Sequence, residues 1–116
     1  MEKIIDIACN FTSHRFDNDL EDVINKATNT NVSKFVLLCS SLQEIKKLSK
    51  IYSKYNNLMY LTLGVHPHNA SEFKNHSSAE LSKLVEKHSP SAIGEIGLDF
   101  YRNISSFDEQ IFAFEE

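Results

Sequence analysis

The chain has 116 residues, with 12 Lys and Arg against 16 Asp and Glu and a formal net charge of −4 with His neutral; this allows a single domain and excludes a polybasic nucleic-acid clamp. Hydrophobic residues make up 41% and charged residues 24%, which excludes disordered, collagenous and disulfide-scaffold classes. No apolar run reaches the ~18 residues that cross a bilayer and the N-terminus lacks the parts of a secretory signal, so the expectation is a cytosolic chain with no membrane partner.

Short β-branched or leucine-rich runs recur at roughly thirty-residue intervals, each followed by an amphipathic segment. The first strand candidate runs from Lys3 to Cys9, the second from Lys34 to Cys39, the third from Met59 to Gly64 and the fourth from Ser91 to Glu95. Each is mostly apolar on both faces, the pattern of a buried parallel sheet. Between them, four helix starts are expected from capping pairs three residues apart: Asn18 with Glu21, Ser41 with Glu44, Ser77 with Glu80, and Ser106 with Glu109. Apolar residues then follow at helical spacing, namely Leu20, Val23, Ile24 and Ala27, then Ile45, Leu48, Tyr52 and Tyr55, then Leu81, Leu84 and Val85, then Phe107, Ile111 and Phe114. Each helix is expected to bury one face. Cys9 and Cys39 belong to no CxxC or Cys/His pair and read as buried apolar residues.

Four alternating strand-helix units imply an α/β fold with a helix-covered parallel sheet, either an open doubly wound sheet or part of a (β/α)8 barrel. Periodicity leaves both open. A whole barrel takes about 250 residues, so four units are its first half. The last helix reaches Glu115 and Glu116 with no Gly or Asn cap and with acidic residues where the helix dipole disfavours them. The expectation is one partial barrel domain over residues 1–116, cut at its C-terminus.

Parallel α/β proteins gather functional polar groups at the carboxyl ends of their strands. Three clusters fall there: Asp6 to Asn10, Gly64 to His68, and Gly94 to Phe100. Glu95 ends an otherwise apolar strand between Gly94 and Gly97, which would let backbone approach a ligand. It is either a metal-binding or catalytic carboxylate, or one that meets a Lys, an Arg or solvent. His66 and His68 flank Pro67, which stiffens their loop; phosphate or substrate contact is preferred, ahead of direct metal ligation or a plain surface loop. Asp6, Ala8 and Asn10 share one face of the first strand, so Asp6 and Asn10 can reach a central site if that face looks into a barrel. Otherwise Asp6 is a carboxylate held by backbone amides and Asn10 a turn residue. Asp99 is a supporting acceptor or a loop anchor, and Arg102 offers a planar fork for phosphate or remains solvated.

At these clusters the chain resembles the TatD family of metal-dependent deoxyribonucleases, (β/α)8 barrels of the metallo-dependent hydrolase superfamily. Gly64-Val65-His66-Pro67-His68 and the run Ala92-Ile93-Gly94-Glu95-Ile96-Gly97-Leu98-Asp99-Phe100 are similar to two of its signature segments, and Gln110 stands where the family has a glutamine early in the fourth helix. The resemblance runs from Ile5 to the C-terminus and corresponds to less than half of a family member. Where most relatives end strand one in a His-x-His pair, this chain has Ala8 and Asn10, as in the TatD branch proper. Asn10 offers only a neutral carbonyl oxygen, suited to a hard ion such as Mg²⁺ rather than zinc.

The resemblance implies a fold of the first four βα units of a metallo-dependent hydrolase barrel and a hydrolase that cleaves DNA phosphodiesters with a divalent metal ion, Mg²⁺ being expected. Glu95 would be metal ligand and catalytic residue, His66 catalytic and substrate-binding, and His68 and Arg102 substrate-binding, with Asp6, Asn10 and Asp99 in support. The expected partner is DNA, held with modest affinity because the chain is acidic. Hydrolysis of a small amide or ester on the same scaffold is a sibling reading. The other class is a non-catalytic half-barrel that acts only through assembly with a partner chain.

Overall fold

The computed structural model describes residues 2–116. Its elements are β1 (Ile4–Cys9), α1 (Leu20–Asn29), β2 (Val32–Leu37), α2 (Ile45–Tyr55), β3 (Met59–Leu63), α3 (Ser77–His88), β4 (Ala92–Ile93) and α4 (Phe107–Glu115), with 3₁₀ turns at His14–Phe16, Leu42–Glu44 and Pro67–Glu72. The sheet is parallel throughout, in the order β1-β2-β3-β4. That order decides between the two architectures left open by periodicity. A doubly wound sheet reverses direction at a switch point, whereas strands added one after another on the same side are those of a barrel wall.

β1 and β3 differ from the expectation by a single terminal residue, β2 and β4 by more. β2 begins two residues early because Val32 pairs with Ile4 at the start of the β1 register. β4 is cut to Ala92–Ile93 because the backbone leaves the ladder after Gly94. The Gly94 N–H still donates to the Leu63 carbonyl at 2.8 Å, but the Glu95 N–H passes β3 and donates to Cys39 at 2.8 Å.

The core lies between the sheet and the helices that follow β1 and β2. Phe35, Leu37, Met59, Leu61 and Leu63 on the strands pack with Ile24 of α1 and with Ile45 and Leu48 of α2, and all are buried. Burying each such large apolar side chain is worth about 1.5–3 kcal/mol. Cys9 and Cys39 are free thiols inside this core, as expected. Burial, helped by the Asp6 side chain, pushes the Cys9 thiol up to about 12.

The expectation that every strand is covered on both faces fails at the two edge strands. Ile4, Ile5 and Ile7 of β1 are exposed, Ile7 by 73%, and so is Ile93 of β4, each strand having a neighbour on one side only. The expectation that every helix buries an apolar face fails at α4. Phe107 and Phe114 are exposed, while the side chain α4 buries is Gln110.

Capping differs as well. Only Ser106 and Glu109 form the reciprocal pair: Glu109 N–H donates to the Ser106 hydroxyl and Ser106 N–H to the Glu109 carboxylate. Asn18 is displaced by Asp19, which precedes α1 without a side-chain cap bond. Ser41 opens the 3₁₀ turn, not α2, and makes no cap bond. Ser77 lies within α3, where its hydroxyl accepts from the Lys74 N–H. A spacing of three residues is necessary for a capping box but leaves the backbone angle at the cap unspecified.

Candidate active site

Each strand end contributes to one open polar cleft of about 290 Å³, lined by Asn10 after β1, Ser40 after β2, His66, His68 and Asn69 after β3, and Glu95 after β4. The strand ends are fastened laterally. Leu38 N–H donates to the Cys9 carbonyl at 3.1 Å, and His66 N–H to the Ser40 carbonyl at 2.9 Å. The Asn69 amide donates to the same Ser40 carbonyl at 2.9 Å.

Gly64 allows β3 to lie against the turn that carries Glu95. A Cβ there would stand 2.5 Å from the Glu95 carbonyl oxygen and 2.6 Å from the Gly94 carbonyl carbon, both backbone atoms. The two glycines singled out beside Glu95 act otherwise. A Cβ at Gly94 or Gly97 would meet nothing within 4 Å, and Gly97 is needed for its φ of 139°.

Glu95 is partly buried, and no ion pair among the described residues includes it. A carboxylate at a cleft wall without a cationic partner is a position for a cation or a donor-bearing ligand.

The two histidines are held differently. His66 Nδ1 accepts the His68 backbone N–H at 3.0 Å, so in this hydrogen-bond network the His66 proton is on Nε2. A ring that presents N–H is suited to donating to a phosphate oxygen. It cannot ligate a metal through that nitrogen without losing the proton. His68 Nε2 lies 2.9 Å from Asp99 Oδ2. The Asp99 carboxyl is held below its ordinary range by the Arg102 backbone N–H, then by His68. It is therefore an acceptor, His68 Nε2–H is the donor, and Nδ1 is left for other contacts. The two rings meet edge to face at 4.3 Å.

Asp99 pairs with His68 and also accepts the Arg102 backbone N–H at 3.0 Å, which closes its own loop. Gln110 sets its backbone: Oε1 accepts the Asp99 N–H at 2.7 Å, and Nε2 donates to the carbonyls of Asp99 at 3.2 Å and Ser105 at 2.8 Å. Ser105 in turn donates its hydroxyl to the His68 carbonyl at 3.0 Å.

Of the residues singled out from sequence, Asn10, His66, His68 and Glu95 meet at the cleft, and Asp99 stands behind His68. Arg102 does not line the cleft; its side chain is 64% exposed, with the guanidinium 3.8 Å from Asp99. Asp6 does not reach it either. Its carboxylate turns back on its own strand to accept the Ala8 N–H at 3.1 Å, the backbone-held alternative. Ser40 and Asn69 were missed. The strand-end rule already pointed to Ser40, since β2 lies between two strands whose ends carry cleft residues.

A family model described as TatD related DNase matches residues 5–116. The chain belongs to the TatD-related DNase family. Among curated TatD relatives, one from Cronobacter sakazakii is 40% identical over 113 residues and one from Pantoea ananatis 37% identical over 112. Both are described as 3'-5' ssDNA/RNA exonucleases, and each match covers 97% of this chain and 43% of the relative. A crystal structure of a TatD-family hydrolase from Entamoeba histolytica superposes with a TM-score of 0.87 and 30% identity, over 98% of this chain and 44% of that one. A TatD homologue from Escherichia coli, 24% identical over 97% of this chain and 44% of its own, agrees in fold with a TM-score of 0.85. The four parallel strands are therefore a curled half-barrel of the TatD TIM-barrel type, spanning about 43% of the relatives.

Whether the TatD donor set suits a metal can be judged from its atoms. Glu95 gives a carboxylate and Asn10 an amide, both hard donors fit for Mg²⁺. Among the described residues no group of three His, Cys, Asp or Glu converges on a metal position.

Proposed function

We infer that this chain provides the Glu95 wall of a nuclease site that hydrolyses phosphodiester bonds of single-stranded DNA or RNA with a divalent cation. The observation that carries the reading is Glu95 itself, a carboxylate without an ion-pair partner among the described residues that shares a cleft with His66, His68 and Asn10. The descriptions of the bacterial relatives as 3'-5' ssDNA/RNA exonucleases support nucleic acid over a small ester or amide, and widen the DNA-only expectation to RNA. They also favour a nuclease over a half-barrel that only binds a partner.

Glu95 and Asn10 would hold the cation, Mg²⁺ suiting two oxygen donors. When bound, such an ion offsets charge on the phosphate and lowers the pKa of water. The chain's own part is positional. His66 Nε2–H donates to a non-bridging phosphate oxygen, and His68, fixed through Nε2 by Asp99, turns Nδ1 to the same substrate. Arg102, exposed beside Asp99 and outside the cleft, would meet only a phosphate that lies beyond it. Asp6 is not given a role. With a net charge of −4, affinity for the nucleic-acid backbone is modest and falls with salt.

The test is a chimera in which this chain replaces the matched segment of the Cronobacter sakazakii relative. We expect Mg²⁺-dependent release of nucleotides from single-stranded oligonucleotides. Glu95→Ala should lower the rate by more than the roughly 10–100-fold that loss of an outer-shell partner costs. A chimera equally active with and without Glu95 would remove the site assignment. The chain by itself, with two oxygen donors, is expected to leave the oligonucleotides intact.

A further inference from the structure

The side chain that α4 buries is Gln110, 1% exposed. Taking an amide out of water is unfavourable unless each of its polar groups finds a partner. An apolar residue at that position would hold the helix down without that requirement, so the use of an amide is explained by where its hydrogen bonds go. Among the described residues they reach two places only. Oε1 accepts the Asp99 N–H at 2.7 Å, and Nε2 donates to the Asp99 carbonyl at 3.2 Å and to the Ser105 carbonyl at 2.8 Å. These partners leave the amide one orientation, since a backbone N–H requires an oxygen and two carbonyls require an NH₂ group.

Both partners of Gln110 also bond to His68. Asp99 Oδ2 takes the ring through Nε2 at 2.9 Å, and the Ser105 hydroxyl donates to the His68 carbonyl at 3.0 Å. Ser105 is 2% exposed, and its oxygen also accepts the Ser71 N–H at 3.1 Å, which fastens the later part of the 3₁₀ turn that carries His68. The result is a closed ring of hydrogen bonds, from the His68 side chain through Asp99, Gln110 and Ser105 back to the His68 backbone. It joins the turn after β3 to the loop after β4, and none of its members belongs to a strand.

We propose that Gln110 is a positioning residue for His68. It holds Asp99 and Ser105 in a fixed relation, and so fixes the His68 imidazole through both its ring and its backbone, with the ring proton on Nε2 toward Asp99. A loop carboxylate by itself can swing away from a histidine. One whose N–H and C=O are both taken by a buried amide cannot do so without leaving polar groups unsatisfied in the interior. The use of His68 on a nucleic-acid phosphate rests on the nuclease reading; the control of its ring by Gln110 does not.

Long-range ¹H–¹⁵N NMR of the imidazoles tests the ring in the 116-residue chain, at a pH where His68 carries a single ring proton. The unsubstituted chain should show that proton on Nε2, visible and slow to exchange. Gln110→Met keeps the length of the side chain and removes both amide groups. It should convert His68 to a mixture of tautomers and lose the Nε2 proton to exchange with water. Ser105→Ala removes only a hydroxyl and leaves Gln110 in place, and should speed exchange of the same proton. A purely structural role would lower the urea midpoint and leave the tautomer of the folded chain as it was. A folded Gln110→Met chain with unchanged His68 ring signals would overturn the proposal, as would an Nδ1–H tautomer in the unsubstituted chain. Should Gln110→Met not fold, unchanged ring signals in Ser105→Ala would overturn it.

The chimera with the Cronobacter sakazakii relative then links the ring to the reaction. Gln110→Met should lower the rate at saturating oligonucleotide by as much as about 100-fold, the effect of an ångström-scale misplacement of a site residue. A chimera inactive with Gln110 intact would count against the nuclease reading, while the spectra would still decide the role of Gln110. An active chimera whose rate Gln110→Met leaves unchanged would refute the link from His68 to the reaction.

Discussion

Asp99 accepts the Arg102 backbone N–H on one oxygen at 3.0 Å and faces His68 with the other at 2.9 Å, and its backbone is gripped at both polar groups by Gln110. These contacts favour the charged carboxylate and hold it below the ordinary value of 3.8. A depressed folded value means that the stability contributed by Asp99 is complete above its unfolded value. It is lost as the pH falls through the lower, folded one. Urea midpoints of the chain should therefore fall on acidification from about pH 5 to 2, and fall less steeply in Asp99→Asn. Superimposable pH profiles for the two chains would mean that the His68–Asp99 pair contributes nothing to the fold. Glu21 and Glu109 are also held low, by Lys54 and by Ser106 respectively, so the comparison between chains, not the slope itself, is diagnostic.

Among the elements, α4 shows how a helix with an exposed apolar stripe can still be fixed. Ser106 and Glu109 close its first turn, Gln110 ties it to the Asp99 loop, and Phe112 meets Phe73 edge to face at 6.2 Å. Since the cap is formed, Ser106→Ala should cost about 1 kcal/mol in urea denaturation. Asn18→Ala, at a residue with the same spacing but no capping role, should stay within about 0.5 kcal/mol. Equal losses at the two sites would contradict the observed caps. The cost at Ser106 should also reach the cleft, because the helix start and the Gln110 clamp are four residues apart.

The molecule as a whole is looser than its length requires. The radius of gyration is 15.2 Å and the extents are 46 × 32 × 28 Å, against about 13 Å for a compact domain of this size. The excess reflects a sheet that curls without closing, leaving Ile4, Ile5 and Ile7 at one edge and Ile93, Ile96 and Leu98 toward the other exposed. Open edges and apolar patches of this kind drive association. Sizing chromatography of the chain should show elution volumes that depend on concentration, and Ile7→Lys should shift the population toward the 13.3 kDa monomer. A chain that is monomeric at every concentration would indicate that the exposed isoleucines are not sticky.

The alternation of strands and helices, the two signature segments and the placing of Glu95, His66, His68 and Asn10 at strand ends could be read from the residues, because those features follow from local periodicity and from where strands stop. The same local information misplaced three caps and the buried face of α4, since a cap needs a backbone angle and a buried face needs a neighbour. Nor could it tell a barrel wall from a doubly wound sheet, a choice made by the lateral order of strands far apart in the chain. Only the folded chain turned Asp6 back onto the Ala8 amide, drew Arg102 toward Asp99, and brought Gln110 through Ser105 to His68. Those partners are separated by as many as 37 residues, and groups that distant meet only when β3 and β4 are laid side by side.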